Sequence, residues 1–196
     1  MLILASASPA RSAMLEAAGV PVTADPARID EGAVRTAMES EAAPPRDLAD
    51  TLADLKACRV SARHPGALVL GADQVLVIEG EVLAKAATME EAAEHLRMLR
   101  GRTHLLLSAA VIARDGAPIW RHVGQARLVM RPFSDAFLAE YLAGAGEDVL
   151  GSVGCYHLEG RGAQLFARVD GDYFTVLGLP LLEVLGFLRA QGVLTE

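Results

Sequence analysis

The chain has 196 residues, 52% of them hydrophobic, with two cysteines and a formal net charge of −7. That length and apolar content suffice for one generous core or two small lobes without disulfides, and the acidic balance argues against a sequence-independent grip on DNA or RNA, which needs a broad basic surface. No stretch approaches the ~18 uninterrupted apolar residues of a membrane span, and the N-terminus lacks the basic start of a secretion signal, so a soluble cytoplasmic protein is expected, with neither a nucleic acid polymer nor a membrane as partner.

Residues 2–5 read as an apolar strand, followed by the hydroxyls of Ser6 and Ser8 and a helix over 9–18. Ser8 is a strong N-cap, Pro9 suits the first helical position, and Gly19 supplies the left-handed stop. Arg11 in the first turn opposes the helix dipole unless an anion such as phosphate sits between it and the free N–H groups. The plain alternative is an exposed arginine that tolerates roughly a few tenths of a kcal/mol. A short strand near 20–23 leads into a polar loop with the acidic pair Asp30 and Glu31, and Pro44-Pro45 interrupts the chain.

A helical pattern from 46 to about 63 follows, with Leu48, Leu52, Leu55 and Val60 on or beside its buried stripe. Lys56 lies on the line Ala49-Ala53-Lys56-Val60, where snorkelling from the rim of the core is the ordinary outcome. Residues 67–78, apolar at nearly every position, predict a strand covered on both faces, turned back by Glu79-Gly80 into 81–84. Thr88 and Glu91 form a capping box opening a helix to Arg100, which Gly101 ends. Strands over 103–114 and 118–130 are joined at Asp115-Gly116, the strongest hairpin signal in the chain. Ser134 caps a helix to about 142, a glycine-rich segment leads to a strand over 163–169, Asp170-Gly171 turns, and 180–191 is the terminal helix. This alternation predicts an α/β protein with a mixed, twisted sheet flanked by helices, compatible with two lobes and a cleft.

Asp73 interrupts the apolar run Val69-Leu70-Gly71-Ala72-Asp73-Gln74-Val75-Leu76-Val77. A bare carboxylate there is costly unless a cation, a metal or dense hydrogen bonding compensates; the alternative is a strand end reaching solvent. If the Glu79-Gly80 turn is of the two-residue type, Gln74 faces Lys85 on one side of the sheet and Asp73 points to the other, whereas one bulged residue reverses this. Lys85 is either a solvated strand end or a phosphate contact. Glu31, Asp30 and Glu159, each taken alone, read as solvated carboxylates. Cys58 and Cys155 have no CxxC spacing and read as packed thiols. There is no GxxxxGK[ST] loop, no HExxH or zinc-finger spacing among the histidines and no GxSxG elbow, which leaves carboxylates and scattered cations suited to magnesium chemistry on phosphates.

Four blocks then resemble a known family: Leu4-Ala5-Ser6-Ala7-Ser8-Pro9-Ala10-Arg11, Gly71-Ala72-Asp73-Gln74-Val75, Leu99-Arg100-Gly101-Arg102-Thr103-His104, and Gly171-Asp172-Tyr173-Phe174-Thr175-Val176-Leu177-Gly178-Leu179-Pro180. In order and over nearly the whole chain they look like the Maf family of nucleotide pyrophosphatases. The resemblance implies one domain over 1–196, with a long bent mixed sheet, two lobes and a central cleft, similar to inosine triphosphate pyrophosphatases. It implies cleavage of a nucleoside triphosphate between the α and β phosphates with a divalent cation, magnesium, manganese or cobalt, and it allows a homodimer. Carried over by position, Ser8 and Arg11 would hold phosphate, Lys56 and Lys85 would offset its charge, Glu31 and Asp73 would serve the metal and the attacking water, and Gln74 and Glu159 would contact substrate. Asp73 matches the aspartate usually assigned as proton acceptor; since an aspartate is a weak base toward water, holding the metal is its alternative role.

The chain departs from the pattern in places. Ala10 stands where many members carry a second arginine, and Ala84-Lys85-Ala86 replaces a common Gly-Lys-Pro. Asp73-Gln74-Val75 and Glu159-Gly160 look more like the branch acting on 7-methyl-GTP, since a carboxylate can accept from the N1 and exocyclic amino hydrogens of guanine. Tyr173-Phe174-Thr175 is closer to the dTTP and UTP branch. The expected activity is therefore a house-cleaning pyrophosphatase for 7-methyl-GTP, with dTTP or UTP as the alternative substrate. A non-catalytic regulator of cell division and septum formation, acting through protein contacts, is the alternative of another class.

Overall fold

In the computed structural model, which describes residues 2–195, strands β1 (Leu2–Leu4), β2 (Val22–Ala24), β3 (Leu68–Ile78), β4 (Glu81–Leu83), β5 (Thr103–Arg114), β6 (Ala117–Met130) and β7 (Phe166–Asp170) build one mixed sheet. Its order is β2-β1-β3-β5-β6-β7, with β4 also paired to β3. The helices are α1 (Pro9–Ala17), α2 (Glu31–Ser40), α3 (Pro45–Ser61), α4 (Met89–Leu99), α5 (Asp135–Ala145), α6 (Tyr173–Val176) and α7 (Leu181–Ala190). The α/β class and mixed sheet expected from the sequence are present. The chain divides into two compact units, the first made of Met1–Gln74, Leu107–Gly124 and Asp172–Glu196, the second of Val75–Leu106 and Gln125–Gly171.

In the first unit β1 is flanked by parallel partners on both sides, β2 in register Leu2↔Val22 and β3 in register Leu2↔Leu68. Alternation along these strands sorts the side chains onto two faces. Leu2, Leu4, Leu68, Leu70 and Ala72 pack with Met14 and Leu15 of α1 and with Val184 and Leu188 of α7. Ile3, Ala5 and Val69 go to the opposite face, where they meet Val60 of α3. Helices therefore cover both faces of a parallel segment, and the chain passes from β1 to β2 on one side, then crosses from β2 back over β1 to β3 on the other. In open α/β sheets the ground beyond the carboxyl ends of such strands is where ligands bind.

The second unit holds the β4 hairpin, α4, α5, two short 3₁₀ turns (Gly146–Gly151 and Arg161–Leu165) and β7. Leu76, Leu96, Leu99, Leu128, Met130 and Leu138 are among its buried side chains. Glu79 and Gly80 both take positive φ, 53° and 93°, as a two-residue type I′ turn requires, and the register Leu76↔Leu83 continues from it without a bulge. Asp115 and Gly116 repeat the device between β5 and β6, at 52° and 81°.

Two expectations are corrected, and one short helix lies where the sequence carried no expectation. Residues 31–40 form α2, because Asp30 accepts a hydrogen bond from Ala33 N (3.0 Å) and so caps a helix; Asp30 and Glu31 are a helix start, not a loop pair. The chain after Asp170-Gly171 forms the short α6, capped by Asp172, whose carboxylate accepts from Thr175 N at 2.7 Å. Leu55 is 41% exposed, so the buried side of α3 runs through Leu52, Ala53, Ala57 and Val60.

His104 on β5 is almost fully buried, and burial pushes its pKa down from 6.5 to about 4. The unfolded chain thus binds a proton between pH 6.5 and about 4 that the folded chain refuses, and stability falls as pH falls through that window. At 1.36 kcal/mol per pKa unit, the loss is expected to be about 2 kcal/mol at pH 5 and about 3 kcal/mol near pH 4. Urea unfolding at pH 7 and pH 5 measures it, and His104→Gln should remove this part of the slope.

Candidate active site

Six of the eight residues singled out from the sequence stand in the first unit: Ser8, Arg11, Glu31, Lys56, Asp73 and Gln74. The register explains why Asp73 meets Lys56. Gly71 lies on the α3 face of β3, where a Cβ would stand 2.6 Å from Ala57 N and closer still to the Ala53 carbonyl oxygen. The missing side chain lets the helix backbone lie directly on the strand. Two residues on, Asp73 points to the same face, and one helical turn from Ala53 the Lys56 ammonium meets it, Nζ to Oδ1 at 2.6 Å.

Both side chains of that pair are only 9% exposed, and Lys56 Nζ also reaches Glu31 Oε1 at 2.8 Å, on a carboxylate that is half exposed. Lys56 therefore does not snorkel. Its aliphatic stem crosses the apolar face of α3, and its charge is spent between two carboxylates inside the protein. A buried ammonium or carboxylate alone would be strongly destabilising, by about 3–5 kcal/mol when one partner is removed, so the three groups hold one another. α2 has no buried residue of its own, and the Glu31–Lys56 ion pair ties its first turn to α3.

The turn after β1 is organised by Ser6, which the sequence reading noted only as one of two hydroxyls. Ser6 Oγ accepts from Ser8 N (3.2 Å) and from Arg11 Nη1 (3.2 Å), while Arg11 Nη1 also donates to the Ala72 carbonyl (3.0 Å) and Nε to the Gly178 carbonyl (2.9 Å). The conflict between Arg11 and its helix dipole is thus relieved by two backbone carbonyls and a hydroxyl of the chain itself. Burial lowers the Arg11 pKa, and the charges of Asp73 and Glu31 work against that lowering. Ser8 caps α1 loosely, its Oγ accepting from Arg11 N at 3.5 Å.

Gln74 points to the opposite face of β3 from Asp73. Its Nε2 donates to Ser108 Oγ (2.9 Å) and to the carbonyls of Thr175 (3.1 Å) and Val176 (3.0 Å), and Ser108 Oγ donates to the same Thr175 carbonyl (2.7 Å). Gln74 therefore anchors α6, and through α6 the Gly178 carbonyl that holds Arg11. Ser108 drew no notice in the sequence, where a serine in an apolar strand carries no pattern, and Thr175 entered only through the family resemblance and not as a partner of Gln74.

Lys85 and Glu159 belong to the second unit, and both are exposed. A shallow hollow between the β4 hairpin and α4 includes neither of them. Cys58 and Cys155 are free thiols pushed up to about 11 by burial, which fits their lack of a chemical role. Among the described residues there is no helix long and apolar enough to cross a membrane and no cluster of three or more His, Cys, Asp or Glu able to hold a metal.

The first unit thus gathers two carboxylates, an ammonium, a guanidinium and a serine-capped helix start past the point where the parallel pairing of β1 and β3 ends, with no imidazole or thiolate among them. The family described as Maf-like protein matches residues 1–191. A protein of Ruegeria pomeroyi named nucleoside triphosphate pyrophosphatase is 51% identical over 193 residues, covering 98% of this chain and 97% of that protein. Nucleoside triphosphate pyrophosphatase 1 of a Jannaschia species is 53% identical over 192 residues (98% and 97%), and the nucleoside triphosphate pyrophosphatase of Caulobacter vibrioides 52% over 192 residues (98% and 96%). With a family match over almost its whole length and relatives at half identity that it spans from end to end, this chain belongs to the Maf-like protein family.

Proposed function

We propose that this chain hydrolyses nucleoside triphosphates to a nucleoside monophosphate and pyrophosphate, with 7-methyl-GTP as its preferred substrate. It is an enzyme of the nucleoside triphosphate pyrophosphatase kind, as its half-identical relatives are named. The observation that carries the reading is Lys56, set between Glu31 and Asp73, the latter in the middle of β3, just beyond where its parallel pairing with β1 ends.

A divalent cation fits the donors present. Glu31 and Asp73 offer oxygen alone, and two carboxylates are what magnesium takes from protein when substrate phosphates and water fill its other positions. When bound, that ion neutralises phosphate charge and acidifies water. Lys56 has three N–H donors, of which the two carboxylates take two, so one is left to meet phosphate. Arg11 spends Nε and Nη1 on the protein, and among the described residues its Nη2 has no protein acceptor, which suits a phosphate oxygen. Ser8 and the first N–H groups of α1 add an anion-binding helix end. Water attacks the α phosphorus, the bond from that phosphorus to the oxygen bridging to the β phosphorus breaks, pyrophosphate leaves, and Asp73 takes the water proton. Lys85 and Glu159 serve as further substrate contacts, Lys85 for phosphate and Glu159 for the base. The enzyme works on free nucleotide in the cytoplasm.

Tyr173-Phe174-Thr175 favours dTTP or UTP as the second substrate class. Pyrophosphate release across a nucleotide panel with magnesium, for wild type and Glu159→Gln, tests the reading. The expected result is a kcat/KM for 7-methyl-GTP above those for dTTP and UTP, with the preference falling at least about tenfold in Glu159→Gln, the range for a site that loses a charged hydrogen-bond partner. A wild type that prefers pyrimidine nucleotides moves the assignment to the other branch. A pure wild type that hydrolyses no nucleotide, yet holds a stable protein partner, makes it a regulator instead.

A further inference from the structure

Within the second unit, His104 on β5 and Tyr156 in the irregular stretch 146–165 make a buried polar contact that the chemistry above does not use. His104 Nε2 and Tyr156 Oη are 2.7 Å apart, and the two residues are 1% and 4% exposed. The Tyr156 ring also stands edge-on to Phe166 at the start of β7, with centroids 4.8 Å apart. His104 Nδ1 has no partner among the described residues, so the pair is kept at the expense of an unmet polar group. A phenylalanine against an apolar residue would fill the same space without that expense.

The surroundings indicate what the contact fixes. Tyr141 Oη donates to the Cys155 carbonyl (3.2 Å), and Ser152 Oγ donates to the Tyr156 carbonyl (2.9 Å), so the peptides on both sides of Tyr156 are held. Gly154, at φ 79°, lies so close to the Tyr156 ring that a Cβ would stand 2.6 Å from its Cε1. Directly after Tyr156, Gly160 N donates to the His157 carbonyl (3.2 Å) and closes a turn, against which Gly162 packs with no room for a side chain. Glu159 sits in that turn, exposed, and makes no hydrogen bond or ion pair among the described residues. The turn is therefore fixed from beneath while its carboxylate is offered outward.

We propose that His104 and Tyr156 are a positioning pair that aims the Glu159 turn and thereby sets nucleobase preference. This rests on the reading of Glu159 as a base contact. Apolar packing lets a ring slide and rotate in its slot, whereas a hydrogen bond at the ring's far end fixes where the following turn leaves the core. A carboxylate already in place gives up less freedom on meeting a base than one on a loose turn, and only substrates with donors at that place gain from it.

The test measures kcat/KM for 7-methyl-GTP and for dTTP in Tyr156→Phe, which keeps the ring and deletes the hydroxyl, in His104→Gln and in the double variant, with Glu159→Gln in parallel. Tyr156→Phe is expected to lower the ratio of the two constants about fivefold, through KM for 7-methyl-GTP, with kcat for dTTP within about twofold of wild type. The double variant should lose no more than the worse single one, as two halves of one contact do, and His104→Gln reads the same contact should Tyr156→Phe fail to fold. An unchanged ratio in the folded variants while Glu159→Gln changes it overturns the pair and leaves the base reading standing. An unchanged ratio in Glu159→Gln overturns the base reading and the pair with it.

Discussion

Asp73→Asn is expected to lower the rate of pyrophosphate release by about a thousandfold while the protein remains folded, with a circular dichroism spectrum and melting transition close to wild type. The rate loss follows from removing the carboxylate that serves the attacking water, a contribution in the range of about 10²–10⁴. The fold is kept because the amide oxygen can still accept from Lys56 Nζ, now 2.6 Å from Oδ1, and because Glu31 still neutralises that ammonium. Binding of Mn²⁺ to the nucleotide-free protein, followed by its paramagnetic signal, divides the two roles open to Asp73. Unchanged Mn²⁺ affinity restricts Asp73 to the proton, and a weakened affinity makes it a ligand. An Asp73→Asn protein that keeps more than a tenth of wild-type turnover would remove Asp73 from the reaction.

Gly71→Ala is expected to act on stability, by about 3 kcal/mol or more, with a fall in Tm of roughly 10 °C for a chain of this size. The added methyl meets the backbone of α3 at Ala53 and Ala57, and backbone cannot turn aside as a flexible side chain would. Relief comes only by moving the helix off the strand, which carries Lys56 away from Asp73. Turnover should therefore fall in the fraction that remains folded, although residue 71 touches no substrate. Differential scanning calorimetry with activity measured well below the transition separates the two effects; a Gly71→Ala protein with wild-type Tm would contradict the packing described here.

The parts of this fold legible in the sequence were those where one local signal decides the structure. Ser8-Pro9 and Thr88 begin helices, Asp115-Gly116 and Glu79-Gly80 turn hairpins, and an apolar run reads as a doubly covered strand; each appears where it was expected. Residues 31–40 did not announce themselves as a helix because α2 has no buried face, so the apolar period by which a helix is recognised is absent, and only the Asp30 cap marks it. α6 spans four residues, Tyr173–Val176, too short for any periodicity.

The candidate site was legible as residue types, not as contacts. The parity argument about β3 left Asp73 and Gln74 on opposite sides with the sign undecided; their contacts assign the faces, Asp73 meeting Lys56 of α3 and Gln74 meeting Ser108 and the carbonyls of α6. Lys56 looked like a rim lysine because helix spacing places it beside the buried stripe; that two carboxylates, one 25 residues before it and one 17 after, converge on its ammonium is a product of the parallel β1–β3 pairing, which no local window contains. Arg11 reads from the sequence as either the partner of an external anion or an exposed side chain, because backbone carbonyls as distant in sequence as that of Gly178 leave no trace in side-chain identity.

The two units share the chain in alternating pieces, with junctions at 74/75, 106/107, 124/125 and 171/172. No contiguous gene fragment therefore encodes either one: truncation from the N-terminus removes β1 and β2 of the first unit, and truncation from the C-terminus removes α6 and α7 of that same unit instead of trimming away the other. An enzyme strung together from consecutive modules can exchange half of itself at a single break, whereas the same exchange here would need four.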